Sequence, residues 1–197
     1  MKRLLVASAL AATCLSAHAE GGYFGVGFGQ GSVTFDPVNI PGVSVTEDDK
    51  SSSFKIFGGY EFNKYFAAEL GYHEFGSFSQ TLTSGGSMGK VELKGHGFFL
   101  DLVGKLPLSD SFSLFGKIGL AQTTLDATYT LTGIFVGCCS NASASETDPR
   151  FGLGAQYNFN RQFGGRIEYE RTKNVGDPNT TGEGDIDYLG IALTYMF

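Results

Sequence analysis

The segment Leu189-Gly190-Ile191-Ala192-Leu193-Thr194-Tyr195-Met196-Phe197 alternates without a break. Leu189, Ile191, Leu193, Tyr195 and Phe197 are large and apolar, while the residues between them are mostly small. A period of two marks a strand whose two faces meet different surroundings. The apolar face runs to the last residue, where a soluble chain usually turns polar. A strand that is apolar on one side and closed by an aromatic suits a membrane barrel, whose outer wall meets lipid.

Seven more segments show the same period on the N-terminal side. The first two cover residues 23–30 and 53–62, and the third starts near Tyr65. The fourth ends at Pro107, and the fifth, sixth and seventh start near Phe112, Phe151 and Phe163. One face of each carries Phe, Leu, Ile or Tyr, as in Phe66, Ala68, Leu70 and Tyr72 or Phe98, Leu100 and Leu102. The other face is Gly, Ala, Ser and a few charges, more like a tight lumen than a soluble surface. The 29 glycines and 18 phenylalanines could suit a disordered low-complexity chain, but here they alternate in phase, which disorder does not require.

The connections alternate in length. Asn63-Lys64, residues 108–111 and residues 160–162 have the Asn, Ser, Asp and Pro chemistry of tight turns. Residues 31–52, 74–92, 124–149 and 171–186 are long and polar. This pattern predicts an all-β fold: an eight-stranded antiparallel transmembrane up-and-down β-barrel. Short turns and both termini lie in the periplasm, and long loops lie outside. A soluble sandwich or lipocalin-like barrel, apolar face inward, would set the small-residue face against water.

The N-terminus predicts export. Lys2 and Arg3 precede an apolar stretch too short to cross a bilayer as a helix, and Ala17-His18-Ala19 reads as a cleavage site. Cys14, preceded by Thr13, is a poor lipoprotein site. The expectation is a signal peptide at 1–19, a barrel domain at 20–197 and a Gram-negative outer-membrane location.

Formal charge is −6 for the whole chain, and −8 from Glu20 onward because Lys2 and Arg3 are the only charges before it. An acidic chain with scattered Lys and Arg is a poor partner for nucleic acid. The long connections hold much of the acid, including Asp36, Glu47, Asp48, Asp49, Asp126, Glu146, Asp148, Asp177, Glu183, Asp185 and Asp187. Their spacing matches no calcium loop, and they disfavour polyanions as ligands. After export only Cys138 and Cys139 remain, adjacent and without a disulfide framework or zinc-ligand spacing. They read as small loop residues or as a strained vicinal disulfide.

The strand parity points Lys55, Glu61, Glu69, Asp101, Lys105, Lys117, Arg166 and Glu168 into the lumen. Side chains just fill an eight-stranded barrel, and an unpaired buried charge is costly. Glu69, Asp101, Lys117 and Arg166 are therefore expected to form an ion-pair network closing the barrel midway. Other chemistry is not legible. Gly25-x-Gly27-x-Gly29 lies on a strand with no helix after it, so it is no dinucleotide turn. His73, on the inner face, and His96, on the lipid-facing side, have no local motif tying them to a serine. No enzyme, cofactor or metal is expected.

These residues resemble the OmpA-like transmembrane β-barrel family of Gram-negative outer membranes. The resemblance is carried by Phe57-Gly-Gly-Tyr-Glu-Phe-Asn-Lys-Tyr-Phe-Ala-Ala-Glu-Leu-Gly-Tyr72, by Arg166-Ile-Glu-Tyr-Glu170 leading to Asn174-Val-Gly-Asp177, and by the terminal strand. It implies that Tyr195 and Phe197 form the signal read by the barrel-assembly machinery. It also implies that Glu69, Lys117 and Arg166 stand where the family has lumen charges. Gln156 replaces a second lumen carboxylate that family members can carry, which suggests different wiring, with Asp101 in its place. No counterpart of the periplasmic peptidoglycan-binding domain of full-length relatives follows Phe197, so the small stand-alone barrels are the nearest analogy. The resemblance implies a structural or surface-interaction role through the extracellular loops, with outer-membrane lipid and an extracellular ligand as partners. Two alternatives stay open: a small gated channel for ions or small solutes, and a lipid-modifying enzyme with His73 or His96 beside a serine and a carboxylate.

Overall fold

The computed structural model describes residues 21–34, 44–84, 87–132, 139–176 and 184–197. The signal segment 1–19, Asp36, Cys138, Asp177 and Glu183 lie outside the described residues. Among the described residues there are nine strands: β1 (Gly22–Val33), β2 (Ser44–Asp48), β3 (Lys50–Asn63), β4 (Phe66–Ser84), β5 (Ser87–Pro107), β6 (Phe112–Thr132), β7 (Cys139–Asn158), β8 (Phe163–Val175) and β9 (Gly184–Met196). Eight close into an antiparallel barrel in the order β4-β3-β1-β9-β8-β7-β6-β5, with β5 pairing back to β4. The short β2 adds only to the extracellular end of β4, from Ser44 opposite Thr83 to Asp48 opposite Ser79.

The short turns form as their side chains dictate. Asn63 Oδ1 accepts from the Tyr65 and Phe66 amides at 2.8 and 3.0 Å. Ser109 Oγ accepts from Phe112 N–H, and Asn160 Oδ1 from Gln162 and Phe163 N–H. The closing strand is tied at its end: Met196 N–H donates to Gln162 and Phe197 N–H to Gly22.

Two expected long loops are largely strand. β4 and β5 stay paired from Phe66↔Gly104 to Ser84↔Ser87, and β6 and β7 from Phe112↔Tyr157 to Thr130↔Cys139. The upper halves of β4, β6 and β7 are rich in Ser and Thr and that of β5 carries Lys90, Glu92 and Lys94, so the apolar alternation fades where lipid ends although the backbone ladder continues. β8, β9 and β1 are shorter, so the extracellular extension is a one-sided wall of β4–β7 with β2 at its margin.

The outward face is apolar as the parity predicts, with Phe28, Leu70, Phe98, Leu102, Ile118, Leu153, Ile167 and Ile191 all exposed. At the periplasmic end Tyr60–Phe62, Tyr157–Phe159, Phe163–Tyr195 and Tyr195–Phe197 stack edge to face, forming an interfacial aromatic girdle.

Inward glycines serve a second purpose. Tyr23 lies over Gly59, Phe57 over Gly25, Phe99 over Gly71 and Phe115 over Gly154. Each ring lies flat against a neighbouring strand because no Cβ is there, an arrangement that also pins the register. Replacing Gly59 with Ala places a methyl within the Tyr23 ring, whereas a methyl on the lipid-facing Gly104 meets nothing nearer than a carbonyl at 4.0 Å. Gly59→Ala is expected to cost about 1–3 kcal/mol of unfolding free energy in urea titrations in lipid vesicles. Gly104→Ala should stay within about 0.5 kcal/mol.

Candidate functional site

Among the described residues eight lumen charges form a connected set. Period-two alternation aims Lys55 inward from β3, Glu69 from β4, Asp101 from β5 and Lys117 from β6. Arg150 comes from β7, and Arg166, Glu168 and Glu170 come from β8. All eight are buried. They connect with alternating sign. Asp101 meets Arg150 at 3.2 Å, and Arg150 meets Glu170. Glu170 meets Lys55 at 2.7 Å and Lys117 at 3.1 Å. Glu168 bridges the same two lysines at 2.7 and 2.9 Å. Lys117 reaches Glu69 at 2.7 Å, and Glu69 meets Arg166 at 2.5 Å. Four cations thus face four anions, so the cluster is formally neutral, the condition under which burial of so many charges is tolerable.

Neutral groups finish the chain. Tyr23 O–H donates to Glu69 at 2.7 Å, and Arg166 Nε donates to Gln156 Oε1 at 2.8 Å. The Phe57 ring lies 5.3–5.5 Å from Lys55, Lys117 and Arg166, and Arg150 lies 4.1 Å above Phe99. One apolar cluster, including Tyr23, Phe57, Phe99, Val103 and Phe115, interleaves with the charges. A second, including Phe75, Phe78, Leu93, Leu125 and Ile186, fills the lumen beyond them toward the extracellular end. On the periplasmic side a vestibule of about 440 Å³, lined by Glu61, Lys105, Gln156 and Asn158 among others, leads up to the charges.

Of the four residues expected to pair, Glu69, Lys117 and Arg166 come together directly. Asp101 does not join them directly: its bonded partner is Arg150, and it reaches the rest through Glu170. Sequence reasoning missed Arg150 and Glu170 because both sit at the very ends of their segments, each one residue from the stretches 124–149 and 171–186 read as loop. Parity carried one residue back from outward Phe151 and two residues on from inward Glu168 would have found them. Glu61 pairs with Lys105 at the vestibule, apart from the central chain.

His73 is buried above the charges, its ring centroid 4.0 Å from Phe75 and 4.7 Å from Tyr188. Ser53 Oγ lies 2.9 Å from Nε2, so a serine does stand beside it. Arg150 Nη1 approaches Nδ1 at 3.4 Å, and a guanidinium only donates, so this network assigns the ring proton to Nε2. Nε2–H then donates to Ser53, whose own proton goes to the Glu74 carbonyl at 2.8 Å. That is the reverse of what a general base needs. His96 lies on the outer wall with its ring 6.3 Å from Tyr72.

At the extracellular rim Arg171 holds Asp187 in a two-pronged pair at 2.6 and 2.7 Å, with Tyr169 O–H donating as well. Partial burial alone would raise the Asp187 carboxyl, but these donors outweigh it and hold it below the usual carboxylate range. The stability it adds is therefore present above the ordinary carboxylate pKa and is lost as pH falls through the lowered value.

The model of the OmpA-like transmembrane domain matches residues 17–197. The chain belongs to that family. This OmpA-like barrel is 28% identical to outer membrane protein A of Yersinia pseudotuberculosis over 144 residues, which are 72% of this chain and 38% of the relative. It thus spans well under half the length of that relative. Among solved structures, Ail of Yersinia pestis superposes with a TM-score of 0.55 at 19% identity, covering 90% of this chain and 99% of Ail. The outer-membrane protease OmpT of Escherichia coli superposes at 0.54 with 11% identity, covering 91% of this chain and 98% of OmpT. At such identities the likeness shows the fold alone. The OmpA-like chain is an integral outer-membrane β-barrel.

Burial decides what each ion pair is worth. Glu170 contacts three buried cations, and Glu170→Gln is expected to cost about 3–5 kcal/mol in vesicle unfolding. Asp187→Asn, at the half-exposed rim pair, should cost about 1 kcal/mol or less.

Proposed function

We propose that the barrel is a closed scaffold that works through its extracellular extension, in a structural or surface-interaction role. The observation that carries this reading is the filled lumen. An ion-pair chain interleaved with one apolar cluster and capped by another is a poor path for hydrated ions. The extension supports it from the other side, because four strands run well past the apolar belt and carry polar residues outward.

The channel reading would need the alternating chain to exchange partners so that the lumen opens. The enzymatic reading gains little from Ser53 and His73, whose protons run in the unproductive direction, although the fold itself also serves a protease. Within the same proposal Tyr195 and Phe197 act as the assembly signal, since they close the periplasmic girdle on the last strand.

Refolded protein, confirmed by a heat-dependent gel shift, is expected to give no discrete conductance in planar bilayers. Stepwise openings that change in Glu69→Gln or Arg166→Gln would replace this reading with a gated channel. Deleting Phe197 is expected to lower the outer-membrane level on quantitative blots, and an unchanged level would remove the assembly role.

A further inference from the structure

The lipid-facing wall is uneven on the side where the last strand closes the barrel. Across one row of the ladders Val26 stands opposite Leu193, Leu193 opposite Gly165, and Gly165 opposite Tyr157. The outward side chains of this row come from β1, β9, β8 and β7, and the place on β8 is empty because its residue is glycine. The row above is filled by Phe28, Ile191 and Ile167. Below, the Phe159 ring leans on Gly165 so closely that a Cβ there would stand 2.9 Å from it. The result is an apolar hollow of about 530 Å³ in the outer wall.

A hollow in a wall immersed in hydrocarbon is filled, since water gains no partners there and a void forfeits contacts. Its periplasmic end shows by what. Residues 160–162 turn directly below it, joining Phe159 to Phe163. They include Arg161, which is exposed and has no carboxylate partner among the described residues. The other two short turns offer less: Lys64 lies 5.0 Å over the Tyr65 ring, and residues 108–111 contribute Asp110. Tyr157, which lines the hollow, is half exposed and brings a hydroxyl to its rim. A free guanidinium at the water boundary, then a phenol, then an apolar hollow repeats the order of phosphate, ester and hydrocarbon in a phospholipid. A guanidinium also offers forked donors that match phosphate oxygens.

We propose that this hollow seats one acyl chain of an anionic phospholipid of the periplasmic leaflet, with its phosphate on Arg161. Charge favours a lipid over a second barrel, because a two-fold copy would bring another Arg161 against the first. The site spans β7, β8, β9 and β1, so a lipid held there braces the seam where the last strand meets the first. It is independent of what the extracellular extension binds and of whether the lumen conducts.

The chain has no tryptophan, so Phe28→Trp reports on the hollow alone. Leu102→Trp, on β5 and three strands away, is the reference. Each full chain is refolded into vesicles of phosphatidylcholine and phosphatidylglycerol, with bromine on the acyl chains of one lipid at a time. Quenching then gives the preference for phosphatidylglycerol at each tryptophan. The preference at Phe28→Trp is expected to exceed that at Leu102→Trp roughly fivefold, the effect of one cation near a membrane surface. Adding Arg161→Gln should bring it down to the reference. Adding Gly165→Leu, which fills the hollow with a side chain, should do the same. The heat-dependent gel shift checks folding, and should Gly165→Leu not fold, Arg161→Gln in its exposed turn decides.

Equal preference at the two tryptophans overturns the proposal and leaves ordinary lipid contact. So does a preference that Arg161→Gln, or folded Gly165→Leu, leaves unchanged. Quenching at Phe28→Trp that falls for both lipids as protein is concentrated in the membrane, with the reference unaffected, overturns it in favour of a second copy.

Discussion

Eight strands enclose a lumen so narrow that side chains must fill it, and at its middle the sequence gathers eight buried charges. Neither fact leaves room for a loosely hydrated interior. The alternating order from Asp101 through Arg150, Glu170, the two lysines, Glu168 and Glu69 to Arg166 meets both constraints. It ties β3 through β8 across the barrel, as the strand ladders tie neighbours around it. The aromatic rings seated on Gly25, Gly59, Gly71 and Gly154 depend on the same narrowness, because a ring lies flat over a glycine only where the opposite wall presses it there.

The membrane-embedded part was legible because lipid enforces a rule on every second residue. Parity assigned the outward face and the inward direction of Glu69, Lys117 and Arg166, and turn chemistry marked the three short turns. Above the apolar belt water replaces lipid, outward Leu and Phe give way to Ser and Thr, and the period fades from view. That is why residues 74–92 and 124–149 read as loops although β4–β7 continue through most of them. Arg150 and Glu170 were lost at the borders of such stretches, where the segments were ended one residue short of the polar run. Parity also tells which wall a residue faces but not how high its head group reaches, so Asp101 was placed in the right lumen beside the wrong partner.

The two halves of the molecule divide the physical tasks. The lower half satisfies lipid outside and neutralises charge inside, and its girdle of aromatic pairs fixes its depth. The upper half keeps an apolar cluster of its own, from Phe75 to Ile186, so the wall of β4–β7 is an extension of the packed barrel. A stiff extension presents its surface and its strand edges in a fixed geometry, which lowers the ordering cost of binding.

The central claim is that the lumen charges are paired and dry rather than separately bathed in water. A double-mutant cycle of Glu69→Gln and Arg166→Gln, read from unfolding free energies in lipid vesicles, tests it most directly. A direct pair predicts a coupling of about 1–3 kcal/mol, with each single variant costing more than the double variant's share. Coupling near zero, with small and additive single effects, would mean that water screens the two groups and that the lumen is open.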